Sequence, residues 1–493
     1  MTDERYRHIA VAAGAGIVAT GVLVFAIGHW NTLYDDAFIY FRYVRNLHDG
    51  CGLAFNCGEA PVEGFTGPLY LFALWAASLF TDRIAMACQV LGCASMIAAG
   101  LFAANAAMRL GQDVKTGAAL AVAVALALGL DPLFQLNAVI GMETAMAIAA
   151  FTLVGFAAMS ERPRLLVVAV CAAWLVRPEG LVFVLALPIL PMMRRVRLVA
   201  AAVGFVVVIT AIRYAIFDAL LPNTYAAKSG GTSRHAALGL AYIGDALVDF
   251  PLAFLAPLAL FGSRRRVAIF VLAPTAVWFG FFLRSGGDLF EYSRLVVPLV
   301  PILSVLALSG ALELADRIVA IRRYAVVVPL ALGLAIGLRA AIAHAIPDQG
   351  MSARVIEWAE TGLYLRDHFP GATVATVPIG AIGYYSKLPI IDLVGLTDAT
   401  IAREGRSVPP ELLTKKWIGH ERNFTEYVLA RAPGVIVTTE HRDHAWTTLA
   451  EARAGFYADW QLLREVKAGH APYHVHDAEV LPGDHVLMLV RDQ

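Results

Sequence analysis

Charge is scarce in this sequence. Only 16% of its 493 residues are Asp, Glu, Lys or Arg, and 39 acids balance 39 bases. The clustered excess of Lys and Arg that phosphate neutralisation needs is missing, which argues against a nucleic-acid partner. Cysteine is scarce too, and five residues do not make a disulfide scaffold. Cys88, Cys93 and Cys171 fall in apolar stretches, where a buried thiol is the ordinary state. Cys51 and Cys57 fall in a loop expected outside the membrane. An oxidising compartment would let them bridge, although spacing alone does not establish the geometry. No Gly-rich nucleotide loop is found, which speaks against a cytosolic nucleotide sugar or ATP as direct reactant. Internal repeats and low-complexity tracts are also missing.

What remains is overwhelmingly apolar. At 59% hydrophobic residues the chain reads as an integral, polytopic α-helical membrane protein. The run 9–27 is long enough to cross a hydrocarbon core of roughly 30 Å, lacks a clear cleavage site, and reads as an uncleaved anchor. Arg5 and Arg7 before it put the N-terminus in the cytoplasm by the positive-inside rule. The segment 68–80 is too short to span and suits an interfacial helix.

Taking 68–80 as non-crossing, the spans are 84–108, 116–130, 144–159, 165–176, 181–193, 198–217, 240–261, 267–283, 295–315 and 324–343. With the first run they make eleven. Every Arg/Lys cluster between spans then falls inside, and a long polar loop, 218–238, falls outside. The expected transmembrane domain is 1–345, with a first external loop 30–83. From 346 to 493 short β-branched runs, 373–377 and 434–438, alternate with helical stretches, 352–368 and 422–431. This pattern predicts a C-terminal α/β domain on the outer, periplasmic side.

That topology gathers the unusual polar residues at one face. Asp35 and Asp36 open an amphipathic segment just after the first span. Glu63, Glu143, Arg177, Glu179, Asn223, Tyr225, Lys228, Asp288, Glu291 and Arg294 also lie outside or at the outer boundary. Ionisable groups at helix ends are costly against hydrocarbon and mark a polar cavity. Carboxylates for proton abstraction beside cations for a phosphate suit transfer from a lipid-phosphate donor to a hydroxyl. Lys228, Arg177 and Arg294 would neutralise the leaving phosphate as its charge rises, with Tyr225 and Asn223 orienting it. Glu63, Glu143, Glu179 and Asp288 would hold these cations or the sugar hydroxyls. Each residue also has a plainer reading: helix cap, structural ion pair or snorkelling anchor. His470, His474 and His476 lack metal-ligand spacing and read as surface residues.

The motifs Asp35-Asp36-Ala37-Phe38-Ile39 with Arg42-Tyr43, Val62-Glu63-Gly64-Phe65-Thr66, Gly141-Met142-Glu143-Thr144, Arg177-Pro178-Glu179-Gly180, Asn223-Thr224-Tyr225 with Lys228, Gly287-Asp288 with Arg294, and Gly395-Leu396-Thr397-Asp398 together resemble the GT-C membrane glycosyltransferases. Within them the chain is similar to the terminal β-(1→2)-arabinofuranosyltransferases of mycobacterial cell-wall arabinan. The resemblance implies a GT-C fold with juxtamembrane helices, a polyprenyl-phosphate sugar donor and a cell-envelope glycan acceptor. It also implies a site at the outer face of the inner membrane and a periplasmic C-terminal domain that helps bind the acceptor. It maps the catalytic base onto Asp35, and makes Asp36 a supporting group or, in branches that use a divalent metal, a ligand. Cys51 and Cys57 are not part of the pattern. The alternatives are a GT-C enzyme using another polyprenyl-phosphate sugar on a polysaccharide, lipid or glycoprotein, and, from another class, a lipid or glycan transporter. A transporter would place its charges near the midplane of repeated halves.

Overall fold

The computed structural model describes residues 3–193, 196–228, 231–290, 292–320, 322–344, 350–453 and 455–492. Glu291 and the expected 345/346 boundary lie outside the described residues.

The N-terminal part is helical. In chain order the α-helices are α1 (Asp3–His29), α2 (Asp35–His48), α3 (Pro68–Ser78), α4 (Ile84–Leu110), α5 (Val114–Gly129), α6 (Pro132–Leu136), α7 (Thr144–Met159), α8 (Pro163–Val176), α9 (Leu181–Ala186), α10 (Val196–Phe217), α11 (Asn223–Ala227), α12 (Ser233–Asp249), α13 (Arg265–Ser285), α14 (Val300–Arg317) and α15 (Val327–Ala343). Small residues let these helices approach closely: Gly14 of α1 meets Ala104 and Ala121, and Gly333 of α15 meets Ala123.

Among the described residues, five helices are long and apolar enough to cross a membrane: α1, α4, α10, α13 and the run Val297–Arg317. Shorter apolar helices occupy most of the other places expected to span: α5, α7, α8, Pro178–Ile189 and α15. The α3 helix has 11 residues, about half the hydrocarbon thickness at 1.5 Å per residue.

Two expectations for the helical part are corrected. The run 240–261 is not one straight span, because α12 ends at Asp249 and a 3₁₀ helix, Ala253–Phe261, follows at 82° to it. Pro251 and Pro257 lack the amides a continuous helix needs. The polar loop 218–238 also ends early. Thr232 accepts from the amide of His235 and starts α12 at Ser233.

The C-terminal part is the expected α/β domain. It begins with α16 (Gly350–His368) and carries α17 (Ile379–Ser386), α18 (Ala399–Glu404), α19 (Thr425–Ala430) and α20 (Tyr457–Lys467). Its strands are β1 (Val374–Thr376), β2 (Ile390–Asp392), β3 (Arg406–Ser407), β4 (Arg422–Asn423), β5 (Val435–Arg442), β6 (Tyr473–Leu481) and β7 (Asp484–Arg491). Five of them form a mixed sheet in the order β2-β1-β5-β7-β6, with β3 and β4 as a separate pair. Strands β2, β1 and β5 run parallel, with Val374 opposite both Ile390 and Val435, and the β6–β7 hairpin adds antiparallel to β5. The stretch 422–431, expected to be all helix, starts instead with β4. His470 and His474 are exposed and pair with Glu465 and Asp492, while half-buried His476 bonds the Tyr364 hydroxyl at 3.0 Å.

The two parts meet across α2. Arg42 is buried and donates to the carbonyls of Phe55, Gly383 and Leu388 and to Oδ1 of Asn56, at 2.7–2.9 Å. Asn56 in turn exchanges bonds with the Ile390 backbone. Cys51 and Cys57 are bridged and close the short loop that presents Phe55 and Asn56. Cys88, Cys93 and Cys171 are free and buried.

Candidate functional site

A cavity of about 420 Å³ opens between the helix ends and the C-terminal domain. Eight of the eleven expected site residues line it: Asp36, Glu143, Arg177, Glu179, Tyr225, Lys228, Asp288 and Arg294. They sit where helices start or stop. Asp36 is in the first turn of α2, Glu143 precedes α7, Arg177 follows α8, Lys228 follows α11, and Asp288 follows α13. Gly286 and Gly287, at φ +84° and +92°, let the chain leave α13 and turn Asp288 inward. The lining also has an apolar part, with Val182, Leu221, Val277 and Phe281.

Charges in the cavity are arranged in pairs. Nε and Nη2 of Arg177 reach both oxygens of Glu179 at 3.4 and 3.2 Å, and its Nη1 reaches Glu143 at 3.2 Å. Arg294 makes the same two-pronged contact to Asp288, at 2.9 and 3.3 Å, while its Nη1 lies 3.6 Å from Asp36. Forked contacts of this kind fix a guanidinium in direction as well as position. Against burial, Arg294 and then Lys228 hold the Asp288 carboxyl below its ordinary range. Lys228 differs from both arginines. Among the described residues it forms no ion pair, and it is half-buried on the cavity wall.

Helical geometry separates the two aspartates. Neighbouring residues on α2 point about 100° apart, so Asp36, Ile39 and Tyr40 face the cavity. Asp35 shares a face with Phe38, Arg42 and Arg45, turned toward the C-terminal domain. Its two oxygens accept from the amides of Ala381 (2.7 Å) and Gly380 (3.0 Å), at the N-terminus of α17. The helix ends approach so closely that a Cβ on Gly380 would collide with the Asp35 backbone carbonyl. Burial pushes the Asp35 carboxyl up to about 7; the Ala381 amide opposes this, and the charge of Asp36 adds to it.

Two further expected residues lie off the cavity wall. Glu63 is buried and receives Nε of Arg213 at 2.7 Å. Asn223 donates to the carbonyls of Gly395 (2.8 Å) and Leu396 (3.0 Å). Both brace the wall from behind, since Gly64, Phe65, Thr66 and Leu396 face the cavity.

Sequence reasoning missed Arg213, although a lone arginine inside the apolar run 198–217 was a legible signal. It also missed Tyr40, which donates to Glu143 at 3.3 Å and sits four residues, one helical turn, from Asp36. Ile418 and Gly419, which close the cavity from the C-terminal domain, carried no signal. Among the described residues no group of three or more His, Cys, Asp or Glu is placed to hold a metal ion. The cavity carboxylates each face an arginine rather than one another, so they do not fit a divalent cation, and the proposed chemistry runs no step through one.

In the solved structures, the chain is similar to ArnT from Cupriavidus metallidurans bound to undecaprenyl phosphate. Identity is 13%, the match covers 96% of this chain and 97% of that one, and the TM-score is 0.54. The apo state of the same ArnT matches at 13% identity, over 96% of each chain, with a TM-score of 0.56. The chain has the GT-C fold. Within that fold the cavity lies between α2, the ends of the apolar helices and the C-terminal domain. Residues 344–481, most of that last unit, match a domain of unknown function (DUF8728). No curated protein matches the chain.

Proposed function

We propose that the chain transfers a sugar from a polyprenyl-phosphate donor to a hydroxyl of a cell-envelope glycan, at the periplasmic face of the inner membrane. We further propose arabinofuranose as the sugar, which makes the enzyme a pentosyltransferase. The observation that carries the first reading is the cavity's charge pattern: two arginines locked by carboxylates, one lysine that forms no ion pair among the described residues, and Asp36 on the wall. The undecaprenyl phosphate bound to the similar ArnT supports the donor class. The likeness of the motifs to those of the arabinofuranosyltransferases supports the sugar.

The chemistry follows from these groups. The donor phosphodiester, with one negative charge, sits against Lys228, with Arg177 and Arg294 behind it. Its lipid lies along the apolar wall of Val182, Val277 and Phe281. Asp36 accepts the proton of the acceptor hydroxyl as that oxygen bonds the anomeric carbon. The bond from carbon to phosphate oxygen breaks, and its electron pair stays on the phosphate. Protonation of Asp36 removes one negative charge from the cavity as the phosphate gains one. It also leaves Arg294 Nη1, 3.6 Å from Asp36, without that counter-charge, so its positive charge acts on the leaving group from a fixed position. Stabilisation therefore grows along the reaction, as catalysis requires. Asp35, whose oxygens are occupied by α17 amides, is the positioning residue of the pair in this scheme, and Asp36 the base.

Mass spectrometry of a strain lacking the protein tests the reading. Loss of a pentose from an envelope glycan, with its polyprenyl-phosphate donor accumulating, supports it. An unchanged glycan and lipid profile contradicts it.

A further inference from the structure

We infer that His420, from the C-terminal domain, receives a hydroxyl of the acceptor at the outer end of the cavity. The site is then complete only with both parts of the chain. This inference rests on the glycosyl-transfer reading and names how that site tells its two substrates apart.

The segment that carries His420 is built into the cavity wall. Its neighbours Ile418 and Gly419 line the cavity, and the aliphatic stem of Lys228 runs beside Gly419. Gly419 has φ +76°, a left-handed turn that aims the chain back toward α12. Three contacts pin the segment to α12 on both sides of the histidine. Arg234 donates to the Leu413 carbonyl at 3.0 Å, Lys415 pairs with Asp245 at 2.9 Å, and buried His235 bonds buried Glu421 at 2.9 Å. The His420 ring packs on Phe456, with centroids 5.3 Å apart. This is a fixed side chain, not a loop tip.

Its hydrogen bonding decides what it recognises. Nδ1 lies 3.4 Å from the carbonyl of Ile418. A carbonyl only accepts, so the proton is on Nδ1 and Nε2 presents a lone pair. The charged groups that bear on the ring are Lys228, Asp36 and Asp288. Burial first, and then Lys228, lowers the pKa of the ring to about 4, so it is neutral at ordinary envelope pH. A neutral ring with its lone pair on Nε2 repels phosphate oxygens and accepts O–H. The donor's phosphate belongs to the three cations and its lipid to the apolar wall. The hydroxyl-bearing molecule that enters beside the C-terminal domain is the acceptor.

Two variants separate this role from a structural one. In His420→Phe the ring's shape is kept and its acceptor atom is lost. In His420→Gln the side-chain carbonyl reaches the place of Nε2 and accepts as it does. Initial rates are measured on the purified full chain, with decaprenyl-phosphate arabinofuranose as donor and membranes of a deletion strain as acceptor. The expected result is an acceptor KM at least tenfold higher for the Phe variant, a donor KM within twofold of wild type, and recovery of most of the loss by Gln. Equal impairment of the two variants, a shift in donor KM instead, or an unchanged acceptor KM overturns the inference. A wild-type protein inert in this assay removes the arabinofuranosyl-transfer reading, and the inference with it.

Discussion

Replacing Lys228 by methionine keeps the aliphatic stem and removes the only cavity cation without an ion pair among the described residues. The size of the effect follows from Coulomb's law. An ammonium about 4 Å from a phosphate oxygen, at an effective dielectric near 20, interacts by about 4 kcal/mol per unit charge. Part of that returns through rehydration and the neighbouring guanidiniums, but Arg177 and Arg294 are held by Glu143, Glu179 and Asp288 and cannot move far. The net loss should be about 2–3 kcal/mol, or roughly 30- to 150-fold in kcat/KM for the donor. It should divide between the two constants. The single charge of the bound diester affects KM, and the second charge that develops on the leaving phosphate affects kcat. The assay is initial-rate transfer from radiolabelled polyprenyl-phosphate sugar, with thermal stabilisation by undecaprenyl phosphate as an independent readout of lipid-phosphate binding. A folded Lys228→Met protein within threefold of wild type in kcat/KM would refute the assignment of the phosphate to this wall.

Two further outcomes test how the site is held. Arg42→Met deletes four hydrogen bonds from one buried guanidinium; the Phe55 carbonyl and Asn56 Oδ1 keep Asn46 and the Ile390 amide as donors, while the carbonyls of Gly383 and Leu388 lose this partner. That should cost about 4 kcal/mol or more and release the C-terminal domain as a fragment in limited proteolysis; a digestion pattern identical to wild type would count against α2 as the docking surface. Asp35 gives a pH signature. Its folded pKa, about 7, lies above the unfolded value near 4, so the folded state binds the extra proton. The stabilisation is full below pH 4 and is lost as pH rises through about 7, up to about 4 kcal/mol in all. Wild type should therefore melt at higher temperature at pH 5 than at pH 8, and Asp35→Asn should reduce that slope, the Asp392 and Asp459 carboxyls, pushed by burial up to about 6 and about 7, contributing the rest. A slope unchanged by the substitution assigns it to those other groups.

Much of the fold was legible because apolar runs and Arg clusters report hydrocarbon and its edges directly. The α7 helix runs over Thr144–Met159, the very run that hydrophobicity picked out. Legibility failed where proline acts locally, as at Pro251 and Pro257, and where the partner is remote in sequence. Glu63 and Asn223 are as polar as Glu143 and sit in equally suggestive motifs. Their partners, Arg213 and the carbonyls of residues 395 and 396, lie about 150 and 170 residues away, and no local pattern reveals that they face away from the cavity. The aspartate pair is the sharpest case. Two adjacent carboxylates at a helix start are visible from sequence, but which one faces the cavity depends on where α17 docks, some 345 residues later.

The choice of base between these two carboxylates is therefore the claim most open to direct test. Asp36→Asn and Asp35→Asn, purified side by side and shown to be folded, should be compared in single-turnover transfer from the lipid-linked donor. Loss of a general base is expected to slow transfer by about 10²- to 10⁴-fold. That loss is expected for Asp36→Asn at unchanged melting temperature, and a lowered melting temperature with most of the chemical rate retained for Asp35→Asn. A stable Asp35→Asn protein with no transfer, beside an active Asp36→Asn protein, would contradict the assignment of Asp36 as the base.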